Sequence, residues 1–316
     1  MNMDAKELLR RYALGERDFH AADLSGAHLC EVDLSGAALK KAILCEADLS
    51  GANLVGADLN GVNLKQANLS GAHLSGAHLS GADLSGANIT NADLSGVILW
   101  RAFLGKALLC EANLIRANLN EANLNGANLS AASLSGAKLS RANLSDTNLT
   151  GVDLRRANLM EANLILAGLR GANLELAELT KANLMEADLS RANLEGANLS
   201  AANLGRVNLS GANLTGVNLH RANLMEANLI LTGLRGANLE LAELTKANLT
   251  EADLSWAHLG GTNLSGANLS GAMLTDLYLG SAILRGANLL DAKLVQVKMN
   301  NVNLSWVTMP DGTVHA

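Results

Sequence analysis

The sequence predicts an all-β solenoid, a β-helix with four sides to the coil, and three observations lead there. The chain repeats every five residues from residue 17 to residue 311 without one insertion or deletion. Its 59 central positions, Phe19 to Met309, are all Leu except Phe19, Ile89, Met299 and Met309, and Ala stands two residues before 45 of them. Charged residues two positions after the centres pair by sign at a spacing of 20, with seven unlike pairs and one like pair; at 15 the balance is one unlike and seven alike, and at 25 none unlike and eight alike. Strict internal periodicity of this kind marks stacked repeats.

Five residues fit neither an α-helix nor a plain strand. On a helix, positions five apart differ by about 140°, so the Leu column would spread around the whole surface. In extended chain, Ala and Leu two apart point to one side, with the Asp or Asn between them pointing out. The remaining two positions, often Ser-Gly, suit a corner. Each pentad is then one side of a coil, and coils stack at roughly 4.8 Å so that backbone groups pair above and below. Stacked charges alternate because like charges directly opposed are unfavourable. One such ladder is Arg101, Glu121, Arg141, Glu161, Lys181, and another is Glu186, Arg206, Glu226, Lys246. The 59 sides, four to a coil, make about 15 coils of 20 residues. Repeated Asn in register is expected to build amide ladders.

Taken in order, residues 1–16 form an N-terminal capping segment. Asp4 and Glu7 make a capping-box pattern, Leu8, Leu9 and Tyr12 an apolar stripe, and Gly15 a stop, so a helix is expected over 4–14. Residues 17–311 form a single repeat domain, because no composition shift or linker interrupts the pentads. In the last coils Val297, Met299, Val302, Val307 and Met309 replace Ala and Leu. Pro310, the only proline, is expected to end the hydrogen-bonded ladder, and 312–316 remains as a tail too short for a covering helix.

Units such as Ala-Asn-Leu-Ser-Gly at 127–131 match A(D/N)LXX, and the chain resembles the pentapeptide-repeat family over about nine-tenths of its length. The opening ELLRRYALGERDF and closing MPDGTVHA resemble cyanobacterial members. This resemblance implies a right-handed quadrilateral β-helix. The family shares no catalytic residues; some members resemble DNA and bind topoisomerases.

Composition narrows the function. A net charge of −6 argues against direct nucleic-acid binding, which needs dense Lys and Arg. No apolar run reaches membrane-spanning length, and MNMDAKELLRRY does not suit a signal peptide. Cys30, Cys45 and Cys110 are too few for a disulfide framework, and a cytoplasmic setting is expected. No cofactor or metal is expected: His73 and His78 face outward from neighbouring sides, without converging ligands. A filled interior offers no pocket for an acid/base pair, so an enzyme is not expected.

Two belts depart from the outward polar rule. Ile98, Trp100, Phe103 and Leu108 form one; Met273, Tyr278, Ile283 and Leu290 form the other, with Trp306 nearby. Apolar groups this close together suggest contact surfaces for a protein partner, against the alternative of tolerated repeat drift. Homodimerisation through the C-terminal coils is the associated expectation. Residues 156–190 recur at 221–255 with only Ala167/Thr232 and Met185/Thr250 changed, a duplication that adds length. The leading expectation is a non-catalytic structural or protein-interaction rod. The alternative is a DNA mimic that binds a type II topoisomerase such as gyrase. Charges by side run +9/−6, +5/−7, +2/−7 and +5/−7. Only the side holding Glu31, Asp48, Glu111, Asp188, Glu251, Asp291 and Asp311 leans clearly negative, far more sparsely than phosphates.

Overall fold

Backbone pairing fixes the register at 20 residues. Asp18 pairs with Ala38, Asp23 with Ile43, His28 with Asp48 and Asp33 with Asn53, all parallel, and the same step recurs through both halves of the chain. The computed structural model describes residues 3–315, so Met1 and Asn2 of the capping segment and Ala316 of the tail lie outside the described residues. It divides into two compact units, Met1–Asn158 and Leu159–Ala316.

In the first unit, α1 (Ala5–Ala13) precedes the pentads. Asp4 caps it, its carboxylate accepting the Glu7 amide at 2.8 Å, and Gly15 follows with φ +92°. Only half of the expected capping box forms, because the Glu7 carboxylate turns instead to Arg10 at 2.8 Å. Arg10 holds the Glu7 carboxyl below its ordinary range. Leu8 is buried, and the Tyr12 hydroxyl donates to the Ser35 carbonyl at 2.8 Å, fixing the helix against the coils.

In both units the small residue and the centre of most pentads are buried, the terminal ones excepted, and the Leu columns from Leu24 to Leu289 are almost wholly out of water. Thr147, Thr232 and Thr262 occupy the small inward position, and their hydroxyls donate to the Leu144, Leu209 and Leu239 carbonyls at 2.6, 2.9 and 2.7 Å. An inward hydroxyl is therefore satisfied by the wall it faces. The second residue after each centre turns the corner in the left-handed region. Gly takes it most readily, but Arg101 (φ 55°), Glu121 (φ 59°) and Arg206 (φ 56°) take it too. Each side is so short that pairing appears as single-residue bridges rather than strands; β1 (Met273–Thr275) and β2 (Lys293–Val295) in the second unit are the longer parallel exceptions.

The C-terminal residues depart from expectation. Pro310 does not end the ladder: its carbonyl accepts the Asp291 amide at 3.0 Å, since only its missing N–H is unavailable. The tail is not idle either. β3 (Val307–Thr308) pairs antiparallel with β4 (Val314–His315), and the Thr313 carbonyl accepts the Met309 amide at 2.7 Å. That hairpin covers one side of the last coil. Leu294, Val297, Met299, Val302 and Leu304, which would be core in mid-unit, stay half-buried.

Candidate functional site

The outward surface is built from columns of Asn and Asp. In most pentads Oδ1 accepts the amide two residues on, as Asn68 does from Ser70 at 3.2 Å. Nδ2 donates to the residue one coil earlier: Asn88 to Asn68 at 3.2 Å, and Asn68 to Asp48 at 3.0 Å. The expected amide ladders therefore exist, and they are one-way. A carboxylate has no proton to donate, so Asp serves at the base of a ladder. Asp33, Asp93 and Asp188 receive Asn53, Asn113 and Asn208 in this manner, each at 2.9 Å. Hydrogen bonds from Ser25, Ser35 and Ser50 hold the Asp23, Asp33 and Asp48 carboxyls below their ordinary range.

At the corners, charges stack as the spacing requires. Arg101 pairs with Glu121 at 2.6 Å, and Arg206 reaches both Glu186 at 3.4 Å and Glu226 at 3.1 Å. These exposed pairs are worth little individually. They also neutralise the surface locally, which weakens any extended negative field.

The first belt rings one coil level instead of forming a single face. Ile98 pairs with His78 and Asn118, Phe103 with Asp83 and Asn123, and Leu108 with Asn88 and Asn128, so the three face outward from successive sides. Trp100, Phe103 and Leu108 are exposed; Ile98 is half-buried. The Arg101 guanidinium lies 4.3 Å from the Trp100 ring centre. The second belt is likewise circumferential: Met273, Tyr278, Ile283 and Leu290 are exposed on successive sides, and Trp306 is 63% exposed. Tyr278 leans over Gly280, where a Cβ would overlap the hydroxyl end of the phenol. Cys30 is exposed, Cys45 and Cys110 are half-buried, and all three are free thiols.

Trp256 escaped the sequence reading because it occupies an ordinary corner position. It is 50% exposed, with Arg235 stacked 4.4 Å from its ring centre and its indole N–H donating to Asp276 at 3.3 Å. Leu166, Leu176, Leu231 and Leu241 are exposed corner residues missed for the same reason. Leu176 leans over Gly196 and Leu241 over Gly261 with the same 2.8 Å approach to the missing Cβ, so these two duplicated leucines make the same contact one coil on. Gly205 leaves a notch of about 270 Å³ between Met185 and Met225, beside Arg206 and Glu226. Among the described residues no group of three or more His, Cys, Asp or Glu could hold a metal ion, and no helix is long and apolar enough to cross a membrane.

A buried double column of Leu and Ala, left-handed corners and a 20-residue parallel register define a four-sided repeat solenoid. The profile of pentapeptide repeats matches eight copies, in segments running from 22–61 to 274–309. The chain belongs to the pentapeptide repeat family, whose members form right-handed β-helices. Among solved structures it is similar to HetL, a pentapeptide repeat protein involved in heterocyst differentiation regulation from the cyanobacterium Nostoc sp. strain PCC 7120. The identity is 32% over 99% of this chain and 100% of that one, with a TM-score of 0.19. Rfr23 from the cyanobacterium Cyanothece 51142 is 30% identical over 39% of this chain and 91% of its own, with a TM-score of 0.14. A trypsin-treated form of QnrB1, a plasmid-mediated fluoroquinolone resistance protein, is 21% identical over 54% of this chain and 89% of its own, with a TM-score of 0.31. Among curated proteins nothing matches.

Proposed function

We propose that the chain is a non-catalytic, cytoplasmic protein-interaction solenoid that binds partner proteins through its sides and ends. This reading keeps the 59 sides, four to a coil, as about 15 coils, with α1 as the lid of the first. The observation that carries it is the exposure of Trp100, Phe103 and Leu108 together at one coil level of columns that elsewhere are mostly hydrogen-bonded Asn and Asp. Large exposed aromatic groups beside Arg are typical interface anchors. The test is capture of partners from native extract by the intact protein and by a Trp100→Ala, Phe103→Ala, Leu108→Ala variant. Equal capture by both would remove the first belt from the reading.

Homodimerisation belongs to the same proposal. The half-buried Leu294, Val297, Met299, Val302 and Leu304 leave an apolar end that the β3–β4 hairpin covers on one side. Light scattering should give a dimer that Trp306→Lys weakens, and a monomer at high micromolar concentration would refute it. The second reading is mimicry of duplex DNA toward gyrase, through the side carrying Glu31, Asp48, Glu111, Asp188 and Glu251. Its acids are too sparse to stand in for a continuous line of phosphates. Supercoiling by purified gyrase should be little affected at micromolar protein; strong, specific inhibition would reverse the ranking.

A further inference from the structure

The first coil is covered by α1 only in part. Within a ladder, the residue before each centre donates its N–H to the preceding coil and accepts the N–H of the centre there. The Asp48 amide reaches the Ala27 carbonyl at 2.9 Å, and the Asp48 carbonyl accepts the Leu29 amide at 2.7 Å. The first coil has no coil before it. On one side Met3 takes the missing place: its amide donates to the Asp23 carbonyl at 3.2 Å, and its side chain is buried as a preceding centre would be. The chain then turns away into α1. On the next side, residues 27–31, the His28 amide and the His28 and Cys30 carbonyls have no hydrogen-bond partner among the described residues. Ala27 and Val32 stay half-buried there, whereas Ala47 and Ala52, one coil on, are wholly buried. Such an edge is a template for a further strand.

Beside this open edge lies a groove of about 680 Å³, between the residues that enter α1 and the stretch from Asp23 to His28. Met3, Lys6 and Leu9 line one wall, and Leu24, Ala27 and His28 the other. A Cβ on Gly26 would meet nothing within 4 Å, so the corner between the two sides is clear. Asp4 and Asp23 stand at the groove, Glu31 at the far end of the open side, and Asp48 stacked behind His28. Set against them are Lys6 and the imidazole of His28. Arg10 and Arg11 are taken by Glu7 and Glu16, Lys41 leans away over Gly61, and Glu46 shares the neighbouring groove with Lys65. Carboxylates therefore predominate at this edge.

Resting on the interaction reading above, we infer that this edge takes up an extended, basic segment of a partner protein as an added strand. The segment pairs with His28 and Cys30 in the place that a preceding coil would hold. One large apolar side chain enters the groove against Leu9 and Ala27, and neighbouring Lys or Arg meet Asp23 and Glu31. Strand addition draws affinity from main-chain hydrogen bonds and selectivity from the pockets beside them. The excess of carboxylates selects basic over acidic sequences. A second copy of the chain fits less well, because the β3–β4 hairpin already pairs along the corresponding side of its last coil.

The probe is a random peptide library displayed on phage and selected on the full-length protein, with the winners resynthesised and measured by fluorescence anisotropy. Selected sequences should carry Lys or Arg around a single large apolar residue. Methylating the backbone nitrogens of a winner one at a time should cost at least about tenfold in affinity at alternate positions and little between them, a pattern that side-chain binding alone does not produce. Hydrogen exchange at the His28 amide, followed by NMR, should slow at least about tenfold when the peptide is bound. Leu9→Gln and Glu31→Lys should each weaken binding, and Trp100→Ala should leave it unchanged; circular dichroism checks that each variant keeps its fold. Acidic winners, indifference to N-methylation, an unprotected His28 amide, or no enrichment would overturn the assignment. Self-association of the free protein that is lost in Leu9→Gln would give the edge to a second copy and overturn it as well. Winners that depend on Trp100 and not on Leu9 would overturn this site while leaving the interaction reading standing. That broader reading is decided separately, by capture from extract with the first-belt variant.

Discussion

Asn68→Asp changes one side-chain donor into an acceptor at a defined step of an amide ladder. Wild-type Nδ2 of Asn68 donates to Asp48 at 3.0 Å, while its Oδ1 accepts from Asn88 and from the Ser70 amide, both at 3.2 Å. An aspartate keeps both acceptor roles and loses the donor. A hydrogen bond to a charged group contributes about 1.5–3 kcal/mol. Two carboxylates roughly 4 Å apart repel by at least about 1 kcal/mol, the bulk-water figure and hence the floor for half-buried side chains. The variant should thus lose at least about 2.5–4 kcal/mol at pH 7, read from urea midpoints at constant slope. Asp48→Asn should cost less than about 1 kcal/mol, because an amide still accepts from Asn68 and Ser50. Near pH 3 the Asn68→Asp penalty should shrink, since a protonated carboxyl can again donate to its neighbour. Equal penalties at both pH values, or a loss at pH 7 below about half a kcal/mol, would refute the one-way ladder.

Leu174, fully buried in its column, should cost about 2–5 kcal/mol as Leu174→Ala, because a wall paired above and below cannot collapse into the gap; a loss below about half a kcal/mol would show a slack core. Tyr12→Phe removes the bond to the Ser35 carbonyl and should cost about 1 kcal/mol, with earlier loss of the helical circular dichroism signal on heating. The Asp23, Asp33 and Asp48 carboxyls are held below their ordinary values, so the stability they contribute is present above the unfolded pKa of roughly 3.9 and is lost as pH falls through the lower folded values. The thermal midpoint should be level from neutral to about pH 5 and fall below about pH 4, and the triple Asp→Asn variant should flatten that fall.

The fold was legible because the repeat is written in residue types that answer to the backbone. Leu and Ala two apart must share a face, and charges 20 apart must stack, so both register and interior followed without coordinates. The polarity of the ladders was less visible, although the sequence carries it: Asp33, Asp48, Asp93 and Asp188 are each followed one coil later by Asn. The Trp256 corner was not legible. Its contacts to Arg235 and Asp276 depend on where long side chains turn after leaving the corner, which the five-residue pattern does not encode. The Tyr278–Gly280 contact could have been found, because a large residue two positions before a glycine on a flat side has room to fold over it. The capping box misled because Glu7 had a competing partner in Arg10. The tail misled because Pro310 forfeits its donor and keeps its acceptor.

The direction of the amide ladders bears on how such a chain is made. Every Nδ2 in a ladder reaches back to a residue synthesised 20 positions earlier, as Asn68 reaches Asp48 and Asn208 reaches Asp188. Each emerging coil on a ribosome meets acceptors already displayed by the coil before it, and it displays its own for the next. A carboxylate at the base asks nothing of what came earlier, so Asp marks places where a column can begin without a template. The rows of Asn and Asp thus act as a growth rule, in which order spreads from the N-terminal side along with translation.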